Sequence, residues 1–229
     1  MGTISKATVL SVEKHGEEVR EYTLQLHKNN HFEAGSFLQL TLETKKDLSR
    51  WPESRNFSIA SAYNQKGIIR LIIRQYGSYT KRIFNELQPG SECTVKYAFG
   101  DFLLPFFDKQ ATVCCVAGGT GIAPILGFCE QMAQTGSLNR LHVYYSFKHA
   151  NEMPGVDLLR KLLPDENFHL FCTQQETGQI PNRRIVFEDI QYTDLNSTYF
   201  YICGNESFTH YFVNNLKRIN AENIYTDEW

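Results

Sequence analysis

The sequence predicts two domains: an antiparallel β-barrel over residues 1–108 and an α/β unit with a parallel sheet over 109–229. Three observations carry that expectation. The chain has 229 residues, which at about 150 per domain allows one domain or two. Its first half alternates apolar and polar residues at period two between turn residues. Its second half alternates continuous apolar runs with segments at helical spacing.

In the first half, Val19, Tyr22, Leu24 and Leu26 fall mostly at period two. The alternation recurs at Leu38, Leu40 and Leu42, at Leu71 and Ile73, and at Cys93, Val95 and Tyr97. Asn29-Asn30, Gly35, 64–67 and Pro89-Gly90 punctuate these runs, the pattern of short antiparallel strands in a barrel or sandwich. One helix is expected at 79–87, where Ile83, Phe84 and Leu87 share a face. In the second half an apolar strand at 112–117 meets a glycine-rich turn. A helix carrying Ile125, Cys129 and Met132 follows. Strand 141–147, helix 154–163, strands 168–172 and 199–203, helix 206–219 and strand 224–229 complete the chain. Strands that alternate with helices imply a parallel sheet wound right-handedly.

Composition narrows the function classes. Hydrophobic residues at 42% and charged residues at 21% exclude a disordered, collagen-like or coiled-coil chain. A net charge of −2 argues against nucleic-acid binding, which needs a strong positive field. The charge is uneven: residues 1–108 hold 14 Lys+Arg against 12 Asp+Glu, and 109–229 hold 9 against 13. No apolar run approaches the ~18 residues of a membrane span. Met1-Gly2-Thr3-Ile4-Ser5-Lys6 carries no signal-peptide stretch, so a cytoplasmic location is expected. The six cysteines form no C-x-x-C pair and the seven histidines are scattered along the chain, so no metal is expected. The cysteines read as buried free thiols, with Cys114 and Cys115 facing opposite ways.

Three segments carry chemistry. The turn Gly118-Gly119-Thr120-Gly121-Ile122-Ala123-Pro124 follows a buried strand and opens a helix, so its N–H groups can approach an anion. Pro124 suits the first helical turn. The stretch Arg55-Asn56-Phe57-Ser58-Ile59-Ala60-Ser61 carries a cation, a ring and a hydroxyl at alternate positions. On one strand face these could hold a phosphate, stack a flat ring and bond its edge. Tyr76-Gly77-Ser78-Tyr79-Thr80 starts the first-half helix, where Ser78 or Thr80 could cap the helix or bind phosphate.

Together these segments resemble the ferredoxin–NADP reductase family over essentially the whole chain. Arg55-x-Phe57-Ser58 is similar to the family's flavin motif and Gly77-x-x-Thr80 to its phosphate motif. The run 119–124 is similar to its nicotinamide loop, and Gly100-Asp101-Phe102-x-Leu104 and Cys203-Gly204 fall where the family has like residues. The resemblance implies a barrel that holds FAD rather than FMN, and a Rossmann-like unit that binds NAD(P)H. By the same resemblance Arg55 would pair with the flavin pyrophosphate, with Asn56 beside it in the motif. Phe57 would stack near the isoalloxazine and Ser58 would bond near N5. Ile72 and Arg74 would touch flavin through backbone, and Gly77, Ser78 and Thr80 would meet phosphate. Gly119, Thr120 and Gly121 would border the nicotinamide pyrophosphate. Cys203 and Gly204 would lie near the nicotinamide, with Asp227 and a terminal Trp229 lid completing the catalytic set.

Two departures from the family stand out. Asp227 occupies the place two residues before the end where photosynthetic members have Glu. Thr173-Gln174-Gln175 stands where NADP-selective members often have Ser-Arg, with Lys148, Arg183 and Arg184 as substitute phosphate partners. The implied activity is electron transfer between NAD(P)H and a separate ferredoxin or flavodoxin, attracted by Arg50, Arg74, Lys81 and Arg82. The rival readings are a reductase of free flavin, the reductase component of a multicomponent oxygenase, and a structural relay subunit.

Overall fold

The computed structural model describes residues 2–44, 50–105, 108, 110–192 and 194–228. The first six strands are β1 (Thr3–His15), β2 (Val19–Leu26), β3 (Phe37–Thr41), β4 (Arg55–Ser58), β5 (Ile68–Arg74) and β6 (Glu92–Phe99). They form one antiparallel sheet in the order β4-β3-β6-β1-β2-β5. A single bridge between Ile59 and Leu71 nearly joins the two edges, so the sheet curls into a barrel. Inward residues such as Leu24, Leu38, Leu40, Leu71 and Val95 fill it. Helix α1 (Ser78–Glu86) plugs one end with Tyr79, Ile83 and Phe84.

The longest strand, β1, is absent from the sequence expectation, for a physical reason. Its pattern is partly inverted: Ile4 and Leu10 point outward at 41% and 47% exposure, while Ser5 points inward at 3%. Ser5 is tolerated there because its hydroxyl donates to the Lys6 carbonyl and accepts from the Lys28 N–H.

The second sheet is parallel and comprises β7 (Thr112–Gly118), β8 (Leu141–Phe147), β9 (Phe168–Cys172), β10 (Thr198–Gly204) and β11 (Ile224–Glu228). Their order is β11-β10-β7-β8-β9. Helices α2 (Ile122–Gln134), α3 (Val156–Leu162) and α4 (Glu206–Arg218) accompany it. Helix α3 is shorter than expected because Gly155, at φ +75°, breaks the chain direction before it. The neighbours Cys114 and Cys115 do face opposite ways. Cys115 joins the core beneath α2, and Cys114 joins the one beneath α4 with Phe212 and Leu216. All six thiols are buried and free. Burial, with Glu92 adjacent, pushes the Cys93 thiol up to about 12.

Helix α2 is the seam between the two sheets. Its core cluster continues into Val19, Ala34, Ala60, Ile72 and Phe102 of the barrel side. Gly127 lets the helix approach closely: a Cβ there would lie 3.2 Å from the Ser61 carbonyl. Across the seam Glu130 accepts from Arg70 at 2.7 Å and from the Ala62 N–H at 2.9 Å. The Tyr201 hydroxyl donates to the Leu103 carbonyl at 2.6 Å. Removing Glu130 leaves the Ala62 N–H without its partner and the Arg70 guanidinium with Glu21 alone, at 3.4 Å. Glu130→Ala is therefore expected to cost about 1–3 kcal/mol of stability, measured by urea denaturation. An unchanged midpoint would show that apolar packing alone holds the seam.

Candidate functional site

The parallel strand order places a reversal between β7 and β10, because the chain leaves β7 toward β8 on one side and returns to β10 on the other. Ligands of open parallel sheets bind outside the carboxyl ends at such a point. At the end of β7 the run Gly119–Gly121 forms a tight 3-10 turn into α2. Gly119 takes φ +56°, and a Cβ there would meet only Arg74 Nη2, at 3.9 Å, so the turn faces open space. Gly121 is pressed against the Cys203 carbonyl so closely that no side chain fits.

At the end of β10 and β11, three groups foreseen from the sequence come together. Asp227 pairs with Cys203 in the strand register. Ser58, at the end of β4, donates its hydroxyl to Asp227 Oδ2 at 2.8 Å, across 169 positions of sequence. Cys203 Sγ lies 3.9 Å from the same oxygen. Burial, with Asp101 nearby, raises the Asp227 carboxyl above its usual range, and the Ser58 bond only partly offsets this. Burial and the adjacent Asp227 carboxylate push the Cys203 thiol well up. The site therefore offers a hydroxyl donor, a carboxyl held above its usual range and a neutral thiol.

The expectation of one strand face for Arg55, Phe57 and the hydroxyl is corrected in part. Arg55 and Phe57 do alternate, opposite Leu40 and Leu38 in the β3 register. Phe57 is partly exposed and packs against the barrel core. Ser58 takes the opposite face by the pleat, which turns it toward the second sheet. Ser61, the hydroxyl in register with Arg55, is buried and accepts from the Arg70 N–H.

Around α1 the geometry separates backbone from side chains. Arg55 lies 4.5 Å over the Tyr79 ring, in the first turn of α1, and pairs with Glu53 at 3.1 Å. Gly77 precedes the helix at φ +87° with open space where a Cβ would be. Ser78 is exposed beside it. Thr80 is buried, and its hydroxyl accepts from the Tyr76 N–H at 2.6 Å and faces the Gly77 carbonyl. It shapes the turn, so the groups that can turn to an anion are the first N–H groups of α1 and the exposed Arg55 guanidinium, in exchange for Glu53.

Arg74 bridges Glu18 at 3.0 Å and Glu152 at 3.1 Å, which ties the barrel to the loop after β8. Ile72 is buried in the seam. Gly204 packs against the Phe208 ring. Trp229 lies outside the described residues. The sequence reading missed Glu130, Arg70 and Glu152, whose partners lie 60 to 78 positions away. It also missed Tyr145, whose buried hydroxyl has no partner and feels both Arg74 and Glu152. A polar cleft of about 810 Å³ opens here, between Glu17 and Glu18 of the β1–β2 turn and the ends of β8 and β9. A cavity of about 820 Å³ lies by Val113 and Arg140, at the amino ends of the strands, away from these groups.

The residues present fit two bound groups. The open N-terminus of α1 with Arg55 suits a flavin pyrophosphate, and the open Gly119 turn beside Arg74 suits a dinucleotide pyrophosphate. Fold and site define a two-domain oxidoreductase of the flavin- and pyridine-nucleotide-binding class. An oxidoreductase FAD-binding domain matches residues 6–103 and an oxidoreductase NAD-binding domain matches residues 115–213. The chain belongs to the ferredoxin–NADP reductase family.

Among curated relatives, the reductase component of propane 2-monooxygenase from Mycolicibacterium goodii is 26% identical over 165 residues, covering 66% of this chain and 47% of the relative. The reductase component of the naphthalene 1,2-dioxygenase system from Pseudomonas putida is 24% identical over 98% of this chain and 68% of the relative. The chain thus spans about half the length of the propane 2-monooxygenase relatives. A ferredoxin NADP+ reductase from Neisseria gonorrhoeae with bound FAD and NADP shares the fold, with TM-score 0.80, 20% identity and coverage of 99% and 98%. The FAD/NAD-binding domain of a Vibrio cholerae nitric oxide dioxygenase does so at TM-score 0.84 and 15% identity, with 98% of each chain covered.

The raised Asp227 carboxyl has a sign that can be checked. A carboxyl whose folded value is raised favours folding when protonated, and that contribution is lost as pH rises from 3.8 through the folded value. Asp227→Asn is expected to gain stability relative to the parent as pH climbs through that window, followed by thermal melting of the FAD-loaded protein. A constant difference across the window would remove the buried-carboxylate account.

Proposed function

We propose that this chain passes reducing equivalents from NAD(P)H, through bound FAD, to a separate one-electron carrier of ferredoxin or flavodoxin type. The observation that carries the reading is the meeting of Ser58, Asp227 and Cys203 across the seam between the two sheets. When bound, FAD supplies the conversion between two-electron hydride uptake and one-electron delivery.

The chain's own residues bind, orient and handle the proton. Arg55 and the first turn of α1 hold the flavin phosphates, and Phe57 presents a partly open ring beside them. Gly119, Thr120 and Gly121 hold the dinucleotide pyrophosphate on the opposite side of the crevice, with the Arg74 cation next to the turn. Ser58 Oγ gives or takes a proton and Asp227 Oδ2 stands behind it as the next acceptor. Burial raises the Asp227 carboxyl, which makes it a stronger proton acceptor than an exposed carboxylate and suits that relay. The neutral Cys203 thiol packs against the relay without adding charge.

The reading is supported by relatives named as reductase components of oxygenase systems and as ferredoxin–NAD(P)+ reductase components. The expected carrier attraction is narrower than sequence reading allowed. Arg74 is held by two glutamates and Arg82 by Glu86 at 2.9 Å, which leaves the exposed Arg50 and Lys81. In the described residues no helix is long and apolar enough to cross a membrane.

The test is anaerobic stopped flow on the purified yellow protein. Ser58→Ala is expected to retain FAD and to slow its reduction by NAD(P)H by about 10²- to 10⁴-fold, the usual worth of a placed proton donor. An unchanged rate would refute the placement of Ser58. Lys81→Glu is expected to slow delivery to an acidic ferredoxin, more so at low salt, while ferricyanide reduction stays the same. Equal ferredoxin rates for parent and variant at low salt would exclude α1 from the docking face.

A further inference from the structure

The polar cleft beside Arg74 bears on which pyridine nucleotide the chain uses. It begins next to the Gly119 turn, because Arg74 Nη2 reaches both Glu152 and the space over Gly119. From there it runs to the ends of β8 and β9, at Lys148 and Gln174. A dinucleotide whose pyrophosphate sits at the Gly119 turn puts its adenosine ribose over the strands next to the first, which here are β8 and β9. The nucleotides NADH and NADPH differ at that ribose alone. One carries a 2′-hydroxyl and the other a 2′-phosphate.

We propose that the chain uses NADH in preference to NADPH, with the adenosine ribose in the cleft between Glu17, Lys148 and Gln174. The proposal rests on the reductase reading. Three observations support the preference. A 2′-phosphate is best gripped by a free guanidinium fork. Neither Arg184 nor Arg183, the two forks that follow β9, lines the cleft, and Arg183 is committed elsewhere. Both its terminal nitrogens bond Asp189, at 2.6 and 2.5 Å, and its plane lies 5.0 Å from the Phe171 ring. Asp189 also accepts the Val186 N–H at 2.9 Å, so the pair is anchored to backbone.

The exit of β9 is also neutral. Gln174 is exposed, and its backbone N–H continues the ladder to the Lys148 carbonyl at 3.0 Å. Gln175 Oε1 accepts the Ala150 N–H at 2.9 Å and so clamps the β8 and β9 loops together. An amide both donates and accepts, which matches a ribose hydroxyl, and it offers no charge to a phosphate. The third observation is the sign of the field. Glu17, Glu18 and Glu152 line the cleft, and Lys148 is the one permanent cation among its described lining residues. Arg74 already answers Glu18 and Glu152. A phosphate dianion would therefore enter a rim with carboxylate in excess, and like charges brought together in this way disfavour binding.

Anaerobic reduction of the FAD-loaded protein by NADH and by NADPH, each over a range of concentrations, separates the possibilities. The expected result is kcat/KM at least tenfold higher with NADH, the gap narrowing as salt rises and screens the rim carboxylates. Gln174→Arg is expected to raise kcat/KM for NADPH at least tenfold. Equal or better use of NADPH by the parent would overturn the preference and leave the reductase reading intact. A gap that does not narrow with salt would overturn the electrostatic account of it. Failure of both nucleotides to bleach the flavin would instead overturn the reductase reading itself.

Discussion

The close packing of α2 against the barrel governs the geometry of everything else. Two domains in one chain move relative to one another by default unless a large apolar interface joins them. Here the core beneath α2 runs without a break into Ala34, Ala60, Ile72 and Phe102. The approach depends on two missing side chains. Gly127 brings the helix to the Ser61 carbonyl, and Gly35 leaves room for the Phe128 ring and the Phe102 carbonyl. Glu130 then locks the helix in register by accepting from a side chain and a backbone N–H of the barrel side. The same helix carries the Gly119–Gly121 turn at its start. Fixing α2 on the barrel therefore fixes the distance from the Gly119–Gly121 turn to Ser58.

Much of this was legible in sequence, and the gaps have physical causes. The parallel sheet was clear because its strands are buried on both faces and read as unbroken apolar runs, as in Val113–Ala117. The barrel was harder, since each strand shows only half its pattern. In β1 that half is diluted by Ser5 inside and Ile4 and Leu10 outside. The side of the strand that Ser58 faces follows from the end of β4 at that residue, which no local pattern announces. Motif residues were found because a tight turn or a flat ring constrains residue type at fixed spacing. The ion pairs of Arg70 and Arg74 were invisible because their partners are brought close only by the packing of α2 and the β1–β2 turn.

Arg74 illustrates how one side chain can serve both fold and site. It leaves β5, crosses to the loop after β8 and ends beside the Gly119 turn. Its two carboxylate partners differ in setting: Glu18 is 61% exposed and Glu152 is 11% exposed. The exposed pair is worth little, whereas the sheltered one is screened less by water and holds the guanidinium in place. The buried Tyr145 hydroxyl, which feels both Arg74 and Glu152, makes no hydrogen bond. A cation so held, next to an open glycine turn, is positioned in advance for an anionic ligand and loses little side-chain freedom when one arrives.

The shorter acid at the end of β11 also has a structural answer. Asp227 has one methylene fewer than the Glu that the family's photosynthetic members carry, and a loss of reach would be expected from length alone. The strand register compensates, because Asp227 sits directly opposite Cys203 on β10, at the carboxyl edge of the sheet. Ser58 comes to meet it from the last residue of β4, close enough for a 2.8 Å bond. A hydrogen bond to a charged acceptor contributes about 1.5–3 kcal/mol, against a cost of leaving the same carboxylate half-buried and unpaired that is of similar size. Asp227 thus keeps a partner in both protonation states, since Ser58 can donate to the carboxylate or accept from the acid. That two-way bonding arises from where two strands end rather than from the length of the acid.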